Sequence, residues 1–385
     1  MTLNEQLDRL ARFEPAPYPV VSLYLDATPG QHGRDQFQSF VRKEFRARAD
    51  TYAAGTPERA SLDKDLERIS AYLSNDLSPS ANGVAIFACD AGQLFEAVQL
   101  EAPFEGHSLY IGDQPHLYPL ARVISQHPRY AAVIADTNRA RILVVAHGAV
   151  EHTQSVEGVK TRRTSQGGWS QARYQRHVSN YHLHHVKEVV EALDRIVQRD
   201  NIGAILLAGD PVVLPIFREQ LPKHLADKVI DEMTLATDAP EHEILRAAYE
   251  SLQRSNETTD RERVEAAMGA YRAGGLGVVG PDETLLALTN GQVDELLITS
   301  SLANLQGLKG TKAAEMALAN DAGLNDPAVE PVAAGEAERT DIGTVRLADE
   351  LVAKAQQTGA RITFIEDASL LERCGGVAAL LRYRI

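Results

Sequence analysis

Residues 164–208 read TSQGGWSQARYQRHVSNYHLHHVKEVVEALDRIVQRDNIGAILLA. A glycine pair followed by the chain's single tryptophan opens the stretch, and a long periodic run follows. Val178, Tyr181, His185, Val189, Leu193 and Val197 recur every three or four residues, which predicts a helix over 171–199 with these positions on its inner stripe. Ile202 to Ala208 (IGAILLA) reads as a buried strand ending at Gly209-Asp210-Pro211. Upstream, Ala131 to Asp136 (AAVIAD) and Ala140 to Ala146 (ARILVVA) are two further strands joined by a tight Thr137-Asn138-Arg139 turn. Strand, helix, strand in this order specifies a βαβ unit in a partly parallel sheet, so the fold class is α/β.

Working outward, a first block opens with the strand Val20 to Leu25 (VVSLYL) between Pro19 and the Thr28-Pro29-Gly30 turn. Helices over 36–53 and 58–77 follow, with Phe37, Phe40, Val41, Phe45 and Ala49 inward on the first and Leu62, Leu66, Ile69 and Leu73 on the second. Gly83 to Cys89 is a short buried strand, and the block reads as mostly β up to Pro119. A third block begins after the polar stretch Ser255 to Asp260. It holds a helix before Gly274, a helix starting at Pro281, a strand Val293 to Thr299, an Ala, Pro and acid-rich loop over 321–338 expected to be mobile, a helix over 343–358, and strands Arg361 to Ile365 and Val377 to Ile385. The expected organisation is three consecutive α/β domains: 1–125, a middle domain over 126–258 with a mixed sheet and a long helix after the glycine loop, and a C-terminal α/β sandwich over 259–385.

At 385 residues and 44% hydrophobic composition the chain can bury real cores. A formal net charge of −14 argues against a protein that coats nucleic acid with its whole surface, so any RNA contact has to be regional. Two cysteines, Cys89 and Cys374, lie far apart without CxxC or His patterning, which indicates neither a disulfide framework nor a zinc site. The acidic N-terminus lacks an apolar signal region, and no run approaches membrane-spanning length, so a cytoplasmic protein is expected.

The regional exception is clear. Gly158 to Lys187, 30 residues, contains no Asp or Glu although the chain carries 53, where about four would be expected. Lys160, Arg162, Arg163, Arg173, Arg176 and Lys187 sit there with His177, His182, His184 and His185. In an acidic protein this is a local anion surface, and phosphodiester backbones are the obvious long anion; a solvated basic loop is the plainer reading. His177, Tyr181 and His185 share a helical face, but no nearby carboxylate or cysteine completes a metal set, so no metal and no cofactor is expected. Gly274 to Gly280 (GGLGVVG) lacks the strand and glycine spacing of a dinucleotide fingerprint. Asp136 and Asp210 at strand ends read as turn caps.

These residues resemble a known family. Val21 to Leu25 with the Phe37 to Arg48 helix and Asn82 to Phe87 (NGVAIF), the SQGGWSQARYQRH loop with the helix carrying Asn180-Tyr181, and Glu283-Thr284, Val293 to Ile298 and Cys374 to Ile385 (CGGVAALLRYRI) are similar in order and content to the three-domain class-1 peptide release factors of eukaryotes and archaea and to Pelota. The chain is identified as a bacterial member of that superfamily. Two departures stand out. Trp169 follows Gly167 and Gly168 where the family has the glutamine credited with placing the hydrolytic water, while Arg173 and Arg176 fall at the family's arginine positions and Gln171 lies two residues on. Tyr52 to Ser61 (YAAGTPERAS) stands where the family reads stop codons with an NIKS-like segment.

The resemblance implies a ribosome-associated release or rescue factor acting on peptidyl-tRNA without a stop codon, with the large ribosomal subunit and a translational GTPase as partners and the C-terminal domain as a docking module. Gly167, Gly168, Trp169 and Gln171 would stand at the ester, and Lys160, Arg162, Arg163, Arg173 and Arg176 on RNA phosphates. An indole N–H only donates, so it cannot take a proton from water, whereas a backbone N–H can serve an oxyanion and the Gln171 amide can orient a water. An exposed Trp169 suits base stacking; the alternative is packing on its own domain. A non-catalytic Pelota-like binding protein is the main rival, and a nuclease a third reading that lacks a His, Lys or metal constellation in the loop.

Overall fold

The computed structural model describes residues 3–14, 18–29, 36–157, 171–307, 332–335 and 341–384. Their strands form three sheets, one per α/β domain. The loop 158–170 with its glycine pair, tryptophan and Lys160, Arg162 and Arg163 lies outside them, as does most of the 321–338 loop.

The first sheet has the order β12-β4-β1-β2-β3, with β1 (Val20–Asp26), β2 (Gly83–Cys89), β3 (Leu94–Leu100), β4 (Ser108–Gly112) and β12 (Val332–Gly335). Every pairing in it is antiparallel. Alternation along β1 sends Val21, Leu23 and Leu25 to a face covered by α2 (Gln36–Ala49) and α3 (Pro57–Asn75), and Val20 and Tyr24 to the opposite core. Burial on both faces is why VVSLYL reads as an unbroken apolar run. Helix α2 stops at Ala49, short of the expected 53, and α3 begins one residue earlier than expected because Thr56 accepts from the N–H of Arg59 and Pro57 occupies the first turn.

Two features were not expected from the sequence. Residues 118–126 form a helix, α4, just beyond the segment read as mostly β up to Pro119 and assigned to no element from the sequence. Val332–Gly335, inside the acid-rich segment expected to be a mobile loop, pairs antiparallel with β4 and closes that sheet edge from 220 residues away (Val332 opposite Ile111).

The third sheet, β10-β14-β11-β13, combines β10 (Gly277–Val279), β11 (Val293–Thr299), β13 (Arg361–Ile365) and β14 (Val377–Leu381), with only the β11/β13 pair parallel. Leu296 and Ile298 face α9 (Pro281–Thr289) and α10 (Ile342–Gln357), while Leu297 faces Val264 and Ala267 on the last turns of α8 (Glu241–Arg272). The polar stretch Ser255 to Asp260, after which the third block was placed, is inside α8. Thr258 and Thr259 return their hydroxyls to the carbonyls of Arg254 and Ser255, and Asp260 is buried, so polarity there reflects a helix exposed on one side.

Residues 1–126 and 260–385 close into one compact unit, and 127–259 form a second. The joint within the first unit is a carboxylate. Asp349 on α10 accepts from the Nδ1 of His116 at 2.8 Å and from the backbone N–H groups of Leu117 (2.8 Å) and Tyr118 (2.9 Å). It thereby caps the start of α4, a partner no local sequence window contains. His116 in turn donates its N–H to Ser22 Oγ at 3.0 Å and accepts from the Tyr24 hydroxyl through its carbonyl; Tyr118 donates to the Thr299 carbonyl.

Replacing Asp349 with Ala should cost about 3 kcal/mol of unfolding free energy, since it orphans three buried donors; urea denaturation of the full chain measures it. A second expectation concerns Asp65 on α3, whose Oδ2 is buried without a hydrogen bond and whose carboxyl is pushed up to about 7 by burial. The folded state then holds a proton the unfolded state has lost, so this group's contribution declines as pH rises from about 4 to about 7. Asp65→Asn should flatten that decline and raise stability at pH 8.

Candidate functional site

The second sheet orders its strands β7-β6-β5-β8-β9, from β5 (Tyr130–Ala135), β6 (Arg139–Ala146), β7 (Ala149–Glu157), β8 (Ala204–Gly209) and β9 (Val229–Met233). β5, β8 and β9 are parallel; β6 is antiparallel to both neighbours, so β7 again runs with β5. The strand β7 was missed in the sequence because it is an edge strand with polar residues alternating outward along AVEHTQSVE. Its last residue, Glu157, pairs with Arg139 beside the β5–β6 turn. The loop 158–170 therefore leaves the sheet at the carboxyl end of β5 and β8.

The chain re-enters the described structure at Gln171, the first residue of the 29-residue helix α5 (Gln171–Arg199), whose limits coincide with the sequence reading. Only four residues separate its end from β8, so α5 runs back against the strands and its start points past their carboxyl ends. Its buried residues among those described begin at His185 and continue through Val186, Val189, Leu193 and Val197, while Asn180 and His184 are exposed and Tyr181, His182 and Leu183 half-buried. Val178 and His177 have no described side chain. At 1.5 Å per residue the whole 29-residue helix is about 43 Å long, roughly twice a six-residue strand, and its buried stretch is the half from His185 onward, so the overhang falls at its start.

The backbone positions of Gln171, Arg173 and Arg176 lie in these first turns, and no acid occupies the first turn to oppose them. Positions 173 and 176 are neighbours on the helix surface. A helix start with no acid in its first turn presents a partial positive charge, which favours an anion there.

The acids at the sheet's carboxyl end are internally consumed. Asp136 Oδ1 accepts from the N–H groups of Asn138 (2.7 Å) and Arg139 (2.8 Å), and Oδ2 from Thr237 Oγ1 (2.7 Å). Burial works to raise its carboxyl, but these hydrogen bonds and the nearby His185 outweigh it and hold it below the usual range. Asp210 Oδ1 accepts from the N–H of Val212 at 2.8 Å and shapes the turn into α6 (Leu214–Gln220). Both acids cap turns. His185 was placed on the inner stripe by periodicity, but the sequence held no signal that neither of its buried ring nitrogens would find a hydrogen-bond partner among the described residues.

The family pattern described as bacterial archaeo-eukaryotic release factor family 10 matches residues 115–253, and that described as eRF1 domain 3 matches 259–385. The chain belongs to the bacterial branch of the archaeal and eukaryotic release factor and Pelota superfamily. It is similar to peptide chain release factor subunit 1 of Archaeoglobus fulgidus, 21% identical over 99% of this chain and 97% of the relative. It is also similar to the pelota homolog of Haloarcula marismortui, 22% identical over 68% and 63%. Among solved structures, archaeal termination factor aRF1 aligns at 16% identity over 99% of this chain and 97% of that one with a TM-score of 0.26. Ribosome-bound archaeal Pelota, solved with ABCE1, aligns at 14% identity over 100% and 95% with a TM-score of 0.40. Among the described residues no helix is long and apolar enough to cross a membrane.

The orphaned imidazole is a stability cost. His185→Leu should raise the unfolding free energy of the full chain by about 1 kcal/mol, because it removes two unmet polar atoms while keeping a buried side chain of similar size; chemical denaturation at pH 7.5 measures the change.

Proposed function

We propose that this chain is a ribosome-associated release or rescue factor that acts on peptidyl-tRNA independently of a stop codon. The observation that carries the reading is the acid-free run of 30 residues, Gly158 to Lys187, in a chain with 53 acids, a run whose later part opens the 29-residue helix α5. A long helical stalk suits a loop that has to reach into a deep RNA-lined cleft. Lys160, Arg162, Arg163, Arg173 and Arg176 bind RNA phosphates, and Gly167 and Gly168 let the backbone approach the acceptor end. The Trp169 N–H faces the developing oxyanion, its indole stacks on an unpaired base, and Gln171 orients the water. Archaeal relatives carrying the name peptide chain release factor, and a Pelota solved on the ribosome, support this assignment, with a translational GTPase as a further partner and the third domain as its docking module.

The presence of Trp169 favours a second reading, a Pelota-like protein that binds the ribosome without cleaving the ester, because an indole cannot accept a proton from water. Release of labelled peptide from peptidyl-tRNA on purified ribosomes and large subunits, with no stop codon in the decoding site, separates the two. Under the hydrolase reading wild type releases peptide and Gly168→Ala lowers the rate about 100-fold or more. Absence of release by wild type, with ribosome binding retained, leaves the binding protein. In either case the double change Arg173→Gln and Arg176→Gln should weaken ribosome binding and reduce its logarithmic salt slope by about 2.

A further inference from the structure

Helix α8 is 32 residues long and is held at two places. Its first half packs Ile244, Ala248 and Leu252 into a core of the middle sheet, where Ser251 and Arg254 also donate to Asp231 Oδ2, each at 2.8 Å. Its second half packs Val264 and Ala267 against the third sheet, with Asp260 buried and Arg263 Nε 3.4 Å from Glu295. Between these anchors no residue from Gln253 to Thr259 is buried, a stretch of about two helical turns. The division between the two compact units, at 259/260, falls at its end.

Those two turns are helical without outside support. Ser255, Asn256, Glu257, Thr258 and Thr259 make no hydrogen bond or ion pair outside α8 among the described residues. Helices draw most of their stability from a packed face, and all of these residues except Glu257 are weak helix formers. The same stretch also spells a helix start. In Thr259-Asp260-Arg261-Glu262 a threonine and a glutamate stand three apart just ahead of the buried Val264, which is the pattern of a capping box. In the intact helix that pattern is unused: Thr259 Oγ1 donates to the Ser255 carbonyl at 2.8 Å, and Glu262 has no ion pair among the described residues.

We propose that α8 carries a latent hinge: the helix parts between Ser255 and Thr259, and Thr259 with Glu262 caps the half that stays on the third sheet. On opening, Thr259 Oγ1 gives up the Ser255 carbonyl and accepts from the N–H of Glu262, while the Glu262 carboxylate accepts from the N–H of Thr259. Parting orphans the first four N–H groups of the second half, and the cap takes two of them back. The two anchored halves of α8 then turn independently. The chain's other passage between the compact units, residues 127–129, belongs to no helix or strand, so α8 is the stiff connection that such a break relaxes.

Hydrogen exchange of the full chain, read by mass spectrometry and corrected for intrinsic rates, tests this. The amides of 253–262 should exchange about tenfold or more faster than those of the anchored turns 244–252 and 263–270. Glu262→Ala should slow them about fivefold, because alanine serves the intact helix at least as well as glutamate and cannot cap the open one. Thr259→Val, which keeps the branched shape and removes the hydroxyl, should do the same, whereas Thr259→Ser should leave the rates within about twofold. An exposed helix that only frays has no use for the cap and is indifferent to Glu262→Ala. The proposal is overturned if 253–262 are protected as strongly as the flanking turns, if Glu262→Ala or Thr259→Val leaves their exchange unchanged, or if Thr259→Ser slows it as much as Thr259→Val.

Discussion

A single buried carboxylate organises the first unit. Asp349 meets the imidazole of His116 and two backbone N–H groups at the start of α4, so its charge is matched by a hydrogen-bond donor set while the residues around it stay dry. An unpaired charge at that depth would cost several kcal/mol, and two orphaned amides would add to it. The geometry therefore holds only when α10, α4 and β1 are all in place. That mutual dependence is the physical reason the first and third domains share one apolar core, which runs from Leu7 on α1 (Leu3–Ala11) through Phe87 to Leu351 and Val377.

The middle domain solves a different problem. A helix supplies length without a core of its own provided part of it is anchored, which is the support the proposed function asks for. In α5 the anchor is the apolar face from His185 to Val197 against β5, β6 and β8. The turns before it extend past the carboxyl ends of the parallel strands, where open α/β sheets place their ligands. Spatial division of labour follows: apolar residues from His185 onward hold the helix, and its first turns carry none of the buried residues described.

Much of this was legible from residue order. The limits of α5, the strands β1, β2, β5, β6 and β11 and the helices α9 and α10 follow from apolar period and from Gly, Pro and Thr at their ends. Besides the edge strand β7, other segments were illegible for physical reasons. Helix α4 takes its cap from Asp349, more than 230 residues away. Strand β12 exists only through its pairing with β4. The polar stretch Ser255 to Asp260, to which the sequence reading assigned no element, is helical because threonine hydroxyls bond back along α8 and because Val264 and Ala267 beyond them anchor it. Polarity marks exposure, and an exposed helix turn is as polar as a loop.

For the candidate site, sequence alone supplied the proposed residues. The glycine pair, Trp169, Gln171, the arginines and the absence of acid are properties of composition and order that no fold can alter. Tertiary structure decided how much of α5 is anchored, because the point at which the helix ceases to be buried depends on how far β5 and β8 extend beneath it. It also decided which polar groups are spent. Asp136 and Asp210 are bound into turns and Asp349 into a joint, whereas the His185 ring has no hydrogen-bond partner among the described residues. A hydrogen bond needs two groups within about 3 Å, and residues far apart in sequence are brought that close only by the packed fold.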